Sequence, residues 1–202
     1  MRKVDPVKHE EKREEILAAA ERCFARSGFH GATIAQICDE AGISPGHLYH
    51  YFASKEAIIG AITSAGLEYV KARFAEVAND RDPIRALVSE FERLKALNRT
   101  KSGVLLDVLA EASRNPVIGK ILQDTSEEMR RLLAEFLHRG QNHGQIDPDL
   151  DVDTAAALLI SMIDSSKTLL IRTPAIDLKC SSDVLDRMIT RFLSPPGGAS
   201  AS

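Results

Sequence analysis

Thr33–Phe52 reads TIAQICDEAGISPGHLYHYF, and the order of its residues specifies two short helices joined by a tight turn. Thr33 is a good N-cap, because its hydroxyl accepts from a backbone N–H left unpaired at a helix start. Ile34, Ile37 and Ala41 recur at helical spacing and give one apolar face. Gly42 follows directly and can take the left-handed conformation that ends a helix. Ile43 plugs the corner, Ser44 caps the next helix, and Pro45 stands where a missing N–H costs nothing. Leu48, Tyr51 and Phe52 are expected to pack back on the first helix, and Cys38 is small enough for a close approach. Two readings fit: an ordinary helical hairpin in a bundle, or a helix-turn-helix whose second helix enters the DNA major groove.

The flanks separate these readings. Ile16–Ile62, ILAAAERCFARSGFHGATIAQICDEAGISPGHLYHYFASKEAIIGAI, resembles the N-terminal DNA-binding domain of TetR-family transcriptional regulators. The matching features are a helix ending in Phe24 before Ser27-Gly28-Phe29, then Ala32-Thr33-Ile34 opening the second helix. Ala41-Gly42-Ile43-Ser44 forms the turn, and Leu48-Tyr49-His50-Tyr51-Phe52 precedes Ser54-Lys55-Glu56. The likeness covers roughly Glu11–Leu67. A weaker echo of one subgroup of C-terminal domains lies in Leu132–Ile160, LLAEFLHRGQNHGQIDPDLDVDTAAALLI. The resemblance implies an all-α chain of about nine helices, with a three-helix N-terminal domain at about 9–69 and the helix-turn-helix at about 33–52. An effector-binding and dimerisation domain follows at 70–194, and the tail 195–202 is expected to be disordered.

Punctuation by Pro, Gly and Asx residues gives the same layout without reference to any family, and no repeat or strand-like alternation appears. A first helix is expected from about Lys8 to Arg26 and a fourth from its cap Ser54 to about Ala78. Further helices are expected from Asp82-Pro83 to about Asn98, Ser102 to Arg114, and Asn115-Pro116 to about Asn142. Asp151 caps a helix to Arg172, Thr173-Pro174 breaks it, and Ser182 caps a last helix to Leu193.

The 202 residues carry a formal net charge of −3 and an isoelectric point near 6.1, which argues against indiscriminate binding to nucleic acid. Local charge must therefore act. Around the first helix Ile16, Leu17, Ala20, Cys23 and Phe24 form the core face, and Lys8, Lys12 and Arg26 fall along one edge. With Arg2 and Lys3 ahead of it, that edge can meet phosphates; equally, these charges can simply solvate the helix. Three cysteines without metal or redox spacing fit reduced thiols. The charged start MRKVDPVKHEEKREE is no export signal, and the apolar run Ala155–Ile163, broken by Ser161, is too short to span a bilayer. A cytoplasmic protein with no membrane, cofactor or metal requirement is expected.

On the recognition helix Gly46, His47 and His50 fall on the exposed side, with the Tyr49 hydroxyl beside them. Glycine lets backbone approach a base edge, while His and Tyr can hydrogen-bond to one. Thr33, Ser44, Tyr49, Tyr51 and Lys55 suit phosphates, through hydroxyls, helix N-termini or charge. The resemblance assigns DNA contact to Thr33, Gly46, Tyr49, His50, Tyr51 and Lys55. It also implies a basic residue near the start of the helix, where this chain has Pro45.

One recognition helix reads only a few base pairs, so a homodimer on a roughly palindromic operator is expected. Ala155–Ile163, with Leu169, Leu170 and Ile171, covers more of a helix than one core stripe requires. Val184, Leu185, Met188, Ile189 and Phe192 give the final helix an apolar stripe. The resemblance further implies a small-molecule effector enclosed by the middle helices, for which Phe74, Phe91, Met129, Phe136, His138 and Asn142 are candidates. Asp107 and Glu111 could hold a cation or lie on a solvated face with Lys101 and Arg114. Asp164 and Lys167 form a candidate polar pair inside an apolar helix.

Catalysis is the rival class. Glu135 and His138 have the Glu-x-x-His spacing of di-metal bundles, but that chemistry needs a second copy on a facing helix, and the sequence holds none. No Gly-x-Ser-x-Gly nucleophile motif occurs either. The remaining alternative is a helical ligand-binding or interaction module without sequence-specific DNA binding.

Overall fold

A computed structural model of the chain describes residues 5–78, 80–98, 102–166 and 172–196. Arg2, Lys3, Lys101, Lys167, Leu169, Leu170, Ile171 and the tail beyond 196, all of which carry sequence-based expectations, lie outside them. Among the described residues the regular structure is all helical: α1 (Pro6–Gly31), α2 (Ile34–Ala41), α3 (Pro45–Tyr51), α4 (Lys55–Val77), α5 (Pro83–Asn98), α6 (Ser102–Ala112), α7 (Pro116–Asn142), α8 (Val152–Ser166) and α9 (Leu178–Leu193).

Most helix starts follow the local capping chemistry. Ser54 Oγ accepts from Ala57 N at 3.2 Å, Asp82 Oδ1 from Arg85 N at 3.0 Å, Asn115 Oδ1 from Val117 N at 3.1 Å, and Asp151 Oδ1 from Thr154 N at 2.7 Å. Two starts depart from expectation. Helix α1 begins at Pro6 under the cap Asp5, not at Lys8. Helix α9 begins at Leu178, because the Asp177 carboxylate accepts from Lys179 N at 2.8 Å and Cys180 N at 3.1 Å. An acidic cap that accepts from two amides outcompetes Ser182, which becomes a residue of the second turn.

The end of α1 also differs. The helix does not stop at Arg26 but kinks at Gly28, with φ 69° and ψ 169°, and resumes to Gly31. That backbone conformation is reserved for glycine. It turns Phe29 back into the core at 2 % exposure, 5.5 Å from Phe24 by ring centroids.

Two compact units divide the chain, residues 1–67 with 100–125 and residues 68–99 with 126–202. The first therefore includes α6 and the start of α7 besides α1–α3 and the start of α4. Its core is built from Ile16, Ala20, Phe24, Ile37, Leu48, Phe52, Ile58 and Ile118. The second unit packs Val70, Phe74, Leu87, Phe91, Leu133, Phe136, Leu137, Ile146, Leu159 and Ile189. Inside it the carboxylate of Glu90, 3 % exposed, takes two bonds from Arg73 at 2.6 and 3.0 Å. No helix among the described residues is long and apolar enough to cross a membrane.

Candidate nucleic-acid interface

The corner α2–α3 is held by reciprocal caps. Gln36 N donates to Thr33 Oγ1 at 3.2 Å, and Thr33 N donates to Gln36 Oε1 at 2.8 Å, so two orphan amides are satisfied at once. The Thr33 hydroxyl also donates to Gln36 Oε1 at 3.2 Å. Gly42 ends α2 with φ 63° and ψ 38°, and Ile43 N closes on Cys38 O at 3.0 Å. Ser44 Oγ accepts from His47 N at 3.3 Å, which leaves its own O–H able to donate outward. Beneath the turn Ile37, Cys38, Leu48 and Phe52 are buried. Arg22 and Arg26 of α1 both reach Glu40 of α2 at 2.6 Å. Their hydrogen bonds hold its carboxyl below the usual carboxylate range. Arg26, expected on a phosphate-facing edge, is thus committed to the α1–α2 joint.

What remains on the outer side of α3 is small and polar. Gly46, His47, Tyr49 and His50 are exposed, Tyr49 by 53 %, and a Cβ at Gly46 would meet nothing within 4 Å. The four lie within one helix held at a fixed angle by the packed corner. Open backbone at Gly46, ring N–H or ring nitrogen at His47 and His50, and a phenol at Tyr49 are groups that can read base edges. Tyr51 is half-buried. Its ring centroid stands 4.6 Å from that of His9 in α1 and 5.4 Å from both His47 and His50. His9 carries no signal in the sequence that would have picked it out; Gln36 does, through the Thr-x-x-Gln spacing of a capping box.

Lys55, the first residue of α4, points inward. Its Nζ donates to the carbonyls of Phe29 at 2.7 Å, Ala32 at 3.0 Å and His30 at 3.4 Å, and lies 4.5 Å from the Phe29 ring centroid. The ammonium thereby takes up the carbonyls at the end of α1 that have no helical partner.

The six side chains named as effector candidates do not form one group. Phe74, Phe91 and Phe136 are buried in the core of the second unit, with Phe74 and Phe136 edge to face at 5.4 Å, and Met129 packs against them half-buried. His138 is exposed, on the outer side of α7, where a ring nitrogen pairs with Asn142 at 3.0 Å. Phe136 alone of the six lines a cleft of about 260 Å³, together with Pro83, Arg139, His143 and Gln145. Glu135 pairs with Arg131, and no cluster of three or more metal-ligating side chains occurs among the described residues. Glu111, its side chain only 12 % exposed, pairs with Arg114 at 3.0 Å.

The first unit therefore contains, in α2 and α3, a helix-turn-helix of the DNA-binding kind. Residues 16–62 match the family described as bacterial regulatory proteins, tetR family, and residues 80–164 match the BetI-type transcriptional repressor C-terminal domain. The chain is 32 % identical over 150 residues to the HTH-type transcriptional regulator UidR of Escherichia coli strain K12, covering 74 % of this chain and 76 % of that one. Among solved structures it is similar to Salmonella enterica GusR, with a TM-score of 0.78 at 28 % identity over 91 % of this chain and 95 % of that one. It is also similar to a transcriptional regulator from Saccharomonospora viridis solved with choline, with a TM-score of 0.71 at 27 % identity over 91 % and 95 %. The chain belongs to the TetR family and is a helix-turn-helix transcriptional regulator.

Proposed function

We propose that this regulator acts in the cytoplasm as a homodimeric repressor, bound to a palindromic operator and released by a small organic effector. The observation that carries DNA reading is the outer side of α3: Gly46, His47, Tyr49 and His50 exposed on a helix whose opposite side, Leu48, is fully buried. Thr33, Ser44 and Tyr51 flank it as phosphate contacts. Lys55 contributes through the corner it closes and through its charge, since its ammonium already serves three carbonyls.

Dimerisation is supported by α8 and α9. Leu158 is 59 % exposed, and Val184, Met188 and Phe192 recur four residues apart at 45, 55 and 43 %. Ile189 and Leu193 on the same helix are buried in the second unit, so α9 has one apolar stripe inward and another outward. Two such stripes ask for a second copy. For release, helix α4 belongs to both units, with its first residue, Lys55, gripping the end of α1. An effector that favours one setting of α4 would shift the spacing of the two reading heads.

Selection of bound duplexes from a random DNA pool tests the reading. A palindromic sequence is expected, with binding that weakens by orders of magnitude from 50 to 200 mM salt as phosphate contacts release counterions. A pool with no enriched sequence would leave the interaction-module reading in its place.

A further inference from the structure

Helix α1 overhangs its own core. Its first buried residue is Ile16, and between Pro6 and Glu15 every side chain is exposed except His9, Lys12 and Arg13, which are half-covered. Lys12 is turned to its neighbour Glu15 at 2.6 Å. The other two meet the end of α3 and its cap, although Arg13 also donates to Glu10 at 3.0 Å. The His9 ring lies 4.6 Å from that of Tyr51, tilted by 30°, and the Arg13 guanidinium stands 5.5 Å from the centroid of Phe52. His9 and Arg13 are one turn apart on α1, and Tyr51 and Phe52 are consecutive at the end of the recognition helix, so the contacts form two rungs. Phe52 is buried in the core and fixes the lower rung. The upper rung is aromatic: His9 also stands edge-on to His50 at 6.1 Å, so Tyr51 is boxed by imidazoles from both helices.

We propose that His9 is a positioning residue of the DNA interface, which clamps the overhanging first turns of α1 to the recognition helix through the Tyr51 ring. The inference rests on the DNA-binding reading above. At about 100° per residue His9, Lys12 and Arg13 share one side of α1, Glu11 and Glu14 point round the other, and Glu10 between them is paired with Arg13 at 3.0 Å. The buried face from Ile16 onward already sets which side of the helix faces α3, and the clamp keeps the overhang wound in that register, with the acidic side held away. Loss of the clamp frees the overhang to fray and brings those carboxylates within reach of the operator phosphates.

Two variants of the full-length protein test this, His9→Ala, which removes the ring, and His9→Phe, which keeps a ring to stack but no ring nitrogen. Operator affinity is measured on the duplex selected from the random pool. His9→Ala is expected to bind about tenfold more weakly, the size of one aromatic pair lost in each of two heads. His9→Phe is expected to stay within about threefold of the parent on the same ground. Hydrogen exchange of amides 7–15, read without DNA, is expected to speed up in His9→Ala and not in His9→Phe, while the melting temperature falls by no more than a few degrees because the core starts at Ile16. Equal affinity losses in the two variants would show an imidazole that touches DNA itself and overturn the positioning role. Unchanged exchange in His9→Ala would overturn the clamp. Exchange that responds while no duplex is ever selected leaves the clamp intact and removes the DNA reading on which its role rests.

Discussion

Lys55 Nζ donates to the Phe29 carbonyl at 2.7 Å and lies over the ring of the same residue. One cation thus closes the end of α1 from the first turn of α4, across the glycine kink that brings Phe29 into the core. Lys55→Met keeps the stem but leaves three carbonyls without their donor. It is expected to cost roughly 1–2 kcal/mol in urea unfolding, because bonds to a charged donor are worth more than neutral ones but this one is partly solvated. Operator affinity should fall for all sequences alike. Unchanged stability with lost affinity would instead mark Lys55 as a direct phosphate contact.

The kink itself is testable. A Cβ at Gly28 would lie 2.5 Å from Asp107 Oδ2 on α6, at a backbone conformation of φ 69°. Gly28→Ala is expected to lose about 2–3 kcal/mol from backbone strain together with the displaced carboxylate. Adding Asp107→Ala removes only the clash, so the double variant should recover part of the loss. Full recovery in denaturant titrations would mean that the backbone is not strained.

Beside the base-reading histidines, Tyr49→Phe removes a hydroxyl that suits a phosphate and is expected to lower affinity uniformly across duplexes. His50→Ala should lower affinity and also relax preference at one base position, by about 1–3 kcal/mol of discrimination. Binding to a panel of single-base operator variants separates the two. A uniform loss for His50→Ala would reassign it to the phosphates.

The buried pair in the second unit gives a pH signature. Hydrogen bonds from Arg73 hold the Glu90 carboxyl below its ordinary value. A depressed carboxyl contributes stability that is fully present above its unfolded value of about 4.3 and is lost as pH falls through the folded one. Glu90→Gln should therefore be less stable than the parent by about 2 kcal/mol at neutral pH. The difference should shrink below about pH 4. A gap that persists unchanged into acid would point to packing and not to charge.

Met188→Asp places a carboxylate in the outward stripe of α9, where the parent side chain is already 55 % exposed. The chain should fold normally and scatter light as a monomer at micromolar concentration. Operator binding should then fall by orders of magnitude as the second head is lost. A dimeric mass in this variant would place the partner surface elsewhere.

Local chemistry makes the helix-turn-helix legible in the sequence itself. Thr33, Gly42, Ser44 and Pro45 each act on backbone groups within four residues, so their order alone specifies the corner, and the caps Ser54, Asp82, Asn115 and Asp151 do the same for later helices. Where two local signals compete, at Asp177 and Ser182, only the folded chain decides. The partners of charged and aromatic side chains are beyond the sequence for a different reason. Whether Lys55 faces phosphate or the carbonyls of Phe29, His30 and Ala32, whether Arg26 lines an edge or holds Glu40, and whether His9 meets Tyr51 depend on which helices come together. Periodicity tells that a residue lies on a face, and capping tells where a helix starts. Which neighbour that face meets is a property of packing over long sequence separations, and there tertiary structure alone decides.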